Sequence, residues 1–211
     1  FNDHPENQAV EFENAGFKFL HLVDLDGAIA GKSINEDAIK NILQNIKIPL
    51  QLGGGIRSIA AVERWLELGV NRIILGSVAA NNPQIVIEAC KKFPEKIVIG
   101  IDAKNGFVAV DGWVKTSEIQ TVELAKKLED CGAAAIIYTD ISRDGTLAGF
   151  DAEGTKTLAC SVNIPVIASG GISNLENVLQ VKELEKFGVI GAIVGRAIYD
   201  KKIPLESLVN L

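Results

Sequence analysis

At 211 residues and a formal charge of −6, the chain is long enough for one domain with a sizeable core, and too acidic for a nucleic-acid or anionic-membrane binder. Its 47% hydrophobic content and 20 glycines suit a compact α/β protein, and no apolar run is long enough to span a bilayer. The polar start over residues 1–6 is no signal peptide, and three cysteines without metal-type spacing read as reduced thiols of a cytoplasmic protein.

In chain order, a helical pattern at 7–14 precedes a β-branched apolar run at 19–23, which ends on Asp24-Leu25-Asp26-Gly27. A helix over 35–45 leads to a strand at 48–52 that ends on Gly53-Gly54-Gly55. Ser58 then caps a helix at 59–68, followed by a strand at 72–75 that runs into Gly76-Ser77. Asn82-Pro83 opens the helix at 83–92, and the strand at 97–101 ends on Asp102-Ala103-Lys104. Alternation without a helical period over 107–113 predicts a small hairpin carrying Trp113. A helix at 121–130 and a strand at 134–139 bring in Thr139-Asp140. After a helix at 152–160, the strand at 165–168 meets Ser169-Gly170-Gly171. Ser173-Asn174 starts a helix at 175–186, and the strand at 190–194 ends on Gly195-Arg196.

This alternation predicts a parallel sheet covered by helices. The chain also repeats itself 116 positions on, with Gly16 matching Gly132, Asp24 matching Asp140, and Gly53-Gly54-Gly55-Ile56 matching Ser169-Gly170-Gly171-Ile172. Gly76 and Gly195 stand 119 apart. Two similar halves predict a closed (β/α)8 barrel with a two-fold half-barrel repeat, as a single domain over residues 1–211. Seven strands are found, and the run at 97–101 has its counterpart before residue 1. The expectation is therefore a barrel lacking its first strand, with an exposed edge.

In such a barrel the chemistry lies at the C-terminal strand ends. A phosphate needs converging backbone N–H groups, and glycine allows both their close approach and the positive φ that turns them inward. The expected anion sites are Gly54, Gly55, Gly76 and Ser77 in one half, and Gly170, Gly171, Gly195 and Arg196 in the other. Two such sites imply an elongated ligand with a phosphate at each end. Asp102 points into the mouth, where desolvation raises a carboxylate toward general-acid duty. Trp113 is placed to stack on a planar ring, or simply to cover the rim. Thr139 is suited to hydrogen-bonding a sugar hydroxyl, and Asp144-Gly145 makes a turn that carries a carboxylate over the site. Asp140 and Arg143 pair with each other or cap the next helix. Arg57 reaches either the ligand or a solvated salt bridge. His21, within a strand, reads as a core histidine, and His4 as an exposed one.

His21-Leu22-Val23-Asp24-Leu25-Asp26-Gly27-Ala28, Gly53-Gly54-Gly55-Ile56-Arg57, Ile101-Asp102, residues 138–146 and Ile193-Val194-Gly195-Arg196-Ala197 together resemble the ProFAR isomerase family of histidine biosynthesis. The resemblance covers essentially the whole chain. It implies an Amadori rearrangement, aldose to ketose, on a bisphosphorylated small molecule, by a cytoplasmic monomer with no metal or organic cofactor. It also implies that Asp102 is the general acid that opens the ribose ring, Thr139 its supporting hydroxyl and Asp144 an auxiliary acid, with Trp113 and Arg57 embracing the substrate. The partner base, an aspartate closing strand one, falls before residue 1, so little isomerase activity is expected of the chain as it stands. The same residues are compatible with isomerisation of phosphoribosylanthranilate. The rival readings are the cyclase subunit of imidazole glycerol phosphate synthase, which resembles the chain less after Asp24, at the Gly-Trp hairpin and at Gly195-Arg196-Ala197, and a non-catalytic phosphosugar-binding barrel.

Overall fold

The computed structural model describes residues 4–209. Helix α1 (Pro5–Ala15) starts with proline in its first turn and stops on Gly16, whose φ of 105° is left-handed backbone that glycine adopts without strain. The elements that follow are β1 (Leu20–Val23), α2 (Leu25–Ala30), α3 (Glu36–Asn45), β2 (Leu50–Gly53), α4 (Ile59–Glu67), β3 (Arg72–Leu75), α5 (Ser77–Asn81) and α6 (Pro83–Lys92). Then come β4 (Ile97–Lys104), β5 (Phe107–Val110), β6 (Lys115–Gln120), α7 (Thr121–Lys127), a 3-10 turn at Glu129–Cys131 and β7 (Ala135–Asp140). The chain continues through α8 (Ala152–Ala159), β8 (Val166–Ser169), α9 (Leu175–Glu183), a 3-10 turn at Glu185–Phe187, β9 (Val189–Ala192), α10 (Arg196–Tyr199) and α11 (Leu205–Val209).

Seven strands pair in parallel in the order β1-β2-β3-β4-β7-β8-β9, which makes β1 and β9 the two ends of the path among the described residues. Strand side chains alternate between two faces. Ile73, Leu75, Ile97, Ile99, Ile101, Ile136 and Tyr138 face outward into the core shared with the helices. Their neighbours Ile74, Val98, Ala135 and Ile137 form a second, smaller cluster on the concave face. Burial on both faces explains why these strands read as unbroken apolar runs, and each buried isoleucine stabilises the sheet by about 1.5–3 kcal/mol. The result is the curled parallel sheet of a (β/α)8 barrel.

The half-barrel repeat survives as contacts. A Cβ added to Gly54 would strike the backbone of Asp24, and one added to Gly170 would lie 2.9 Å from the carbonyl oxygen of Asp140, the repeat partner of Asp24. Each half thus presses its glycine cluster against the loop after the preceding strand.

Three local departures from the sequence expectation have physical causes. Strand β4 does not stop at Ile101 but runs to Lys104, because Ala103 and Lys104 pair antiparallel with Val108 and Phe107. The hairpin is larger than its apolar alternation suggests: β5 pairs with β6, and the residues from Asp111 to Val114 form its turn. Helices α2, α5, α10 and α11 are 4–6 residues long, too short for a 3.6-residue period to register. Among the described residues no helix is long and apolar enough to cross a membrane.

Candidate functional site

Asp102 lies on the same face of β4 as Val98, two turns of the pleat farther toward the C-terminal rim. Its Oδ2 accepts a hydrogen bond of 2.8 Å from Nε1 of Trp113. Thr139 sits directly across the β4–β7 register, buried, and its side chain also hydrogen-bonds the Asp102 carboxyl. Burial raises the Asp102 pKa and outweighs the lowering effect of these two hydrogen bonds, while the nearby Asp144 charge raises it further. Burial also raises Asp144, against a lowering backbone hydrogen bond from Gly145. Asp102, Trp113, Thr139 and Asp144 thus come together around a carboxyl that holds its proton above the ordinary aspartate range. Such a group can donate a proton to a ligand oxygen and stay charged in between.

The turn that delivers Trp113 is unusual. Asp111, Gly112 and Trp113 have consecutive φ values of 55°, 65° and 71°. For the two residues with side chains this backbone costs on the order of 1–3 kcal/mol each, so neighbours must hold it. Ser77 Oγ accepts from the Asp111 amide at 2.9 Å, Arg57 approaches the Asp111 carboxylate at 4.0 Å, and Lys115 lies 3.4 Å from it. Arg57 also donates to the Ala28 carbonyl at 3.2 Å, tying α2 to the same turn. Arg57 and Ser77 therefore brace the tryptophan turn in this structure. Asp111 went unrecognised in the sequence; its signal was the Asp-Gly pair that favours left-handed turns.

Arg196 likewise reaches another element: its Nη1 donates to the Gly145 carbonyl at 2.6 Å and its Nε to Asp200 at 3.0 Å. The first bond fastens the Asp144 turn to the start of α10. The glycines divide into two kinds. Gly54, Gly55, Gly170 and Gly171 all have positive φ, and the space a side chain would need is filled by neighbouring loops. Around Gly76 and Gly195 nothing lies within 4 Å of that space, and both share the uncommon dihedrals −94°, −98° and −112°, −99°. The open pair is thus Gly76 and Gly195, at the mouths of α5 and α10.

Asp24 is not part of this centre. It is 3% exposed, and its carboxylate accepts from the amides of Gly27 (2.9 Å), Ile34 (2.8 Å) and Asn35 (3.2 Å). The Asn35 side chain (2.8 Å) and the Ser33 hydroxyl (3.3 Å) complete the shell. Burial pushes its pKa up, but the hydrogen bonds together outweigh that and hold it below the usual value. Asp140 is also structural: it accepts from the amide and hydroxyl of Ser142 and pairs with Arg143 at 3.3 Å. His21 accepts on Nδ1 from the Gln51 side chain at 3.1 Å, and burial lowers its pKa to about 4, so it stays neutral. Among the described residues no three His, Cys, Asp or Glu side chains group to hold a metal ion.

The family described as "Histidine biosynthesis protein" matches residues 1–204. A protein of Trichlorobacter lovleyi, named 1-(5-phosphoribosyl)-5-((5-phosphoribosylamino)methylideneamino) imidazole-4-carboxamide isomerase, is 55% identical over 211 residues, which is 100% of this chain and 86% of that protein. Proteins of the same name from Pelobacter propionicus (54% identical, 100% of this chain and 86% of the relative) and Parvibaculum lavamentivorans (52%, 99% and 86%) are similar over the same extent.

Proposed function

This chain belongs to the histidine biosynthesis protein family and is an isomerase, and we propose that it converts an aldose to a ketose with Asp102 as the general acid. The observation that carries this reading is a half-buried carboxyl, raised by desolvation, placed between a tryptophan N–H, a threonine hydroxyl and a second raised carboxyl. Protonated Asp102 gives its proton to the ring oxygen of the ribose, and the C1–O bond breaks to leave an iminium ion at C1. Loss of the C2 proton, reprotonation at C1 and release of the O2 hydroxyl proton then give the ketose. The family resemblance assigns the base for the C2 proton to a position outside the described residues. Thr139 orients the Asp102 carboxyl, and Asp144 keeps its proton affinity high as the charge changes.

The relatives' name contains two phosphoribosyl groups, which supports a substrate with a phosphate at each end. The open backbone at Gly76-Ser77 and Gly195-Arg196 offers one site per half of the repeat, and the packed glycines Gly54, Gly55, Gly170 and Gly171 shape the loops behind them. Trp113 sits on the turn that Arg57 braces, which supports both facing the substrate from one side. The reading includes a monomer, since the acid centre is assembled within one chain, and a cytoplasmic location, in keeping with three unbonded cysteines.

The test is turnover by the complete gene product, using the substrate in the relatives' name and following the sugar by NMR. A ribulosyl carbonyl signal replacing the anomeric proton is expected, with inorganic phosphate as a competitive inhibitor. A persistent anomeric signal at saturating substrate contradicts the reading.

A further inference from the structure

We propose that Cys90 and Cys131 form a reversible disulfide on reaction with a hydroperoxide, which makes this pair a redox modification site in the helical shell. Their sulfurs lie 3.6 Å apart although 41 positions separate them in the chain. That is already contact distance, so closing to a bond of about 2.05 Å needs a shift of only about 1.5 Å. Cys90 lies in the last turn of α6 and is 4% exposed. Cys131 ends the 3-10 turn after α7 and is partly exposed.

This unequal burial sets the order of events. The buried Cys90 thiol stays protonated, pushed up by its hydrogen bond to Cys131 and then by burial. Its S–H stabilises a thiolate on Cys131, which is lowered by that bond and by backbone amides against a raising effect of burial. The Cys131 thiolate attacks one oxygen of the hydroperoxide. The O–O bond breaks, and the leaving alkoxide or hydroxide takes up a proton to become an alcohol or water. Cys131 is now a sulfenic acid. Cys90 sulfur then attacks the Cys131 sulfur, the S–O bond breaks, and water leaves with the Cys90 proton. Two thiols are oxidised by two electrons and one hydroperoxide is reduced.

The bond would join the segment entering β4 to the segment entering β7, at the ends of those strands opposite Asp102 and Thr139. That is the rim where a barrel is stabilised rather than where it reacts. The loop closed by the bond contains all of β4, the β5–β6 arm and α7, so the bridge restricts the unfolded chain over that whole span.

Cys160, exposed at the end of α8, is the competing thiol and is removed first with Cys160→Ser. This protein is treated with stoichiometric hydrogen peroxide, denatured, and assayed by thiol titration, intact mass and peptide mapping. The expected result is loss of both thiols, a mass lower by two hydrogens, a peptide joining the two segments, and full recovery on treatment with dithiothreitol. Thermal unfolding of the oxidised form should rise by roughly 5–10 °C. Two thiols that still titrate, or a sulfinate on Cys131 beside a free Cys90, would overturn the proposal. In Cys90→Ala/Cys160→Ser, dimedone should capture Cys131 as a sulfenic acid, and absence of that adduct would overturn the assigned order of attack.

Discussion

Asp24, just past β1, and Asp102, near the rim end of β4, both lie at the C-terminal end of a strand, and in the sequence both read as acids at a barrel mouth. Asp24 is 3% exposed, and three amides, one carboxamide and one hydroxyl surround it and keep it ionised. Asp102 has only the Trp113 indole and the Thr139 side chain to offset its burial, with a second carboxylate nearby. The lesson is that the number of donors set against desolvation separates a carboxylate that organises a loop from one that can hold and release a proton.

Substitutions test that distinction. Asp102→Asn keeps the shape but cannot give up a proton, so turnover should fall by about 10²–10⁴-fold in a steady-state assay. Its urea unfolding at pH 7 should stay within about 1 kcal/mol of the parent, because the variant no longer buries a charge. Asp24→Ala should do the reverse in stability, costing about 3–5 kcal/mol in urea as several buried donors lose their acceptor. Equal unfolding midpoints for parent and Asp24→Ala would erase the contrast.

The pH dependence of stability follows with opposite signs. Asp24 has a lowered folded pKa, so its contribution is present above the ordinary aspartate pKa and is lost as pH falls through the folded value. Asp102 has a raised folded pKa, so ionising it costs stability as pH rises from the ordinary value through the folded one. The slope of unfolding free energy against pH should therefore become less positive at the acid end in Asp24→Ala and more positive just above it in Asp102→Asn.

The glycines allow a second, smaller contrast. Gly54→Ala forces a side chain onto the Asp24 backbone at a φ of 99° and should cost about 2–4 kcal/mol. Gly76→Ala meets open space and should cost less than about 1 kcal/mol while weakening inhibition by phosphate. Comparable losses of stability in both would mean that the space at Gly76 is not kept open for a ligand. The smallest effect belongs to Trp113→Phe. It removes a hydrogen bond that lowers the Asp102 pKa, so the alkaline limb of kcat/KM should move to higher pH. A limb that moves to lower pH would contradict the assigned effect of that bond.

Much of this was legible in the chain. The alternation of apolar runs with helical patterns, the caps at Ser58 and Asn174, and the 116-residue repeat are local or self-referential signals, and the sheet order follows from them. The grouping of Asp102, Thr139 and Asp144 followed from strand ends sharing one rim. What was not legible depends on pairing between distant residues. The extension of β4 to Lys104 rests on its partner β5, and the tie from Arg196 to Gly145 crosses 51 positions. The Trp113 indole meets Asp102 through a left-handed turn at two non-glycine residues, which propensity argues against. The glycine triplets read as ligand grips, and a side chain at Gly54, Gly55, Gly170 or Gly171 would also meet a neighbouring loop, since close backbone approach and anion binding ask for the same residue.

The general-acid role rests on the proton affinity of one side chain, Asp102. Titration of the aspartate carboxyl carbons by NMR reads Asp102 and Asp24 in the same spectra, with Asp102→Asn and Asp24→Asn to assign them. Asp102 is predicted to titrate above the ordinary aspartate value and Asp24 below it. An Asp102 signal that titrates at or below that value would contradict its role as the general acid.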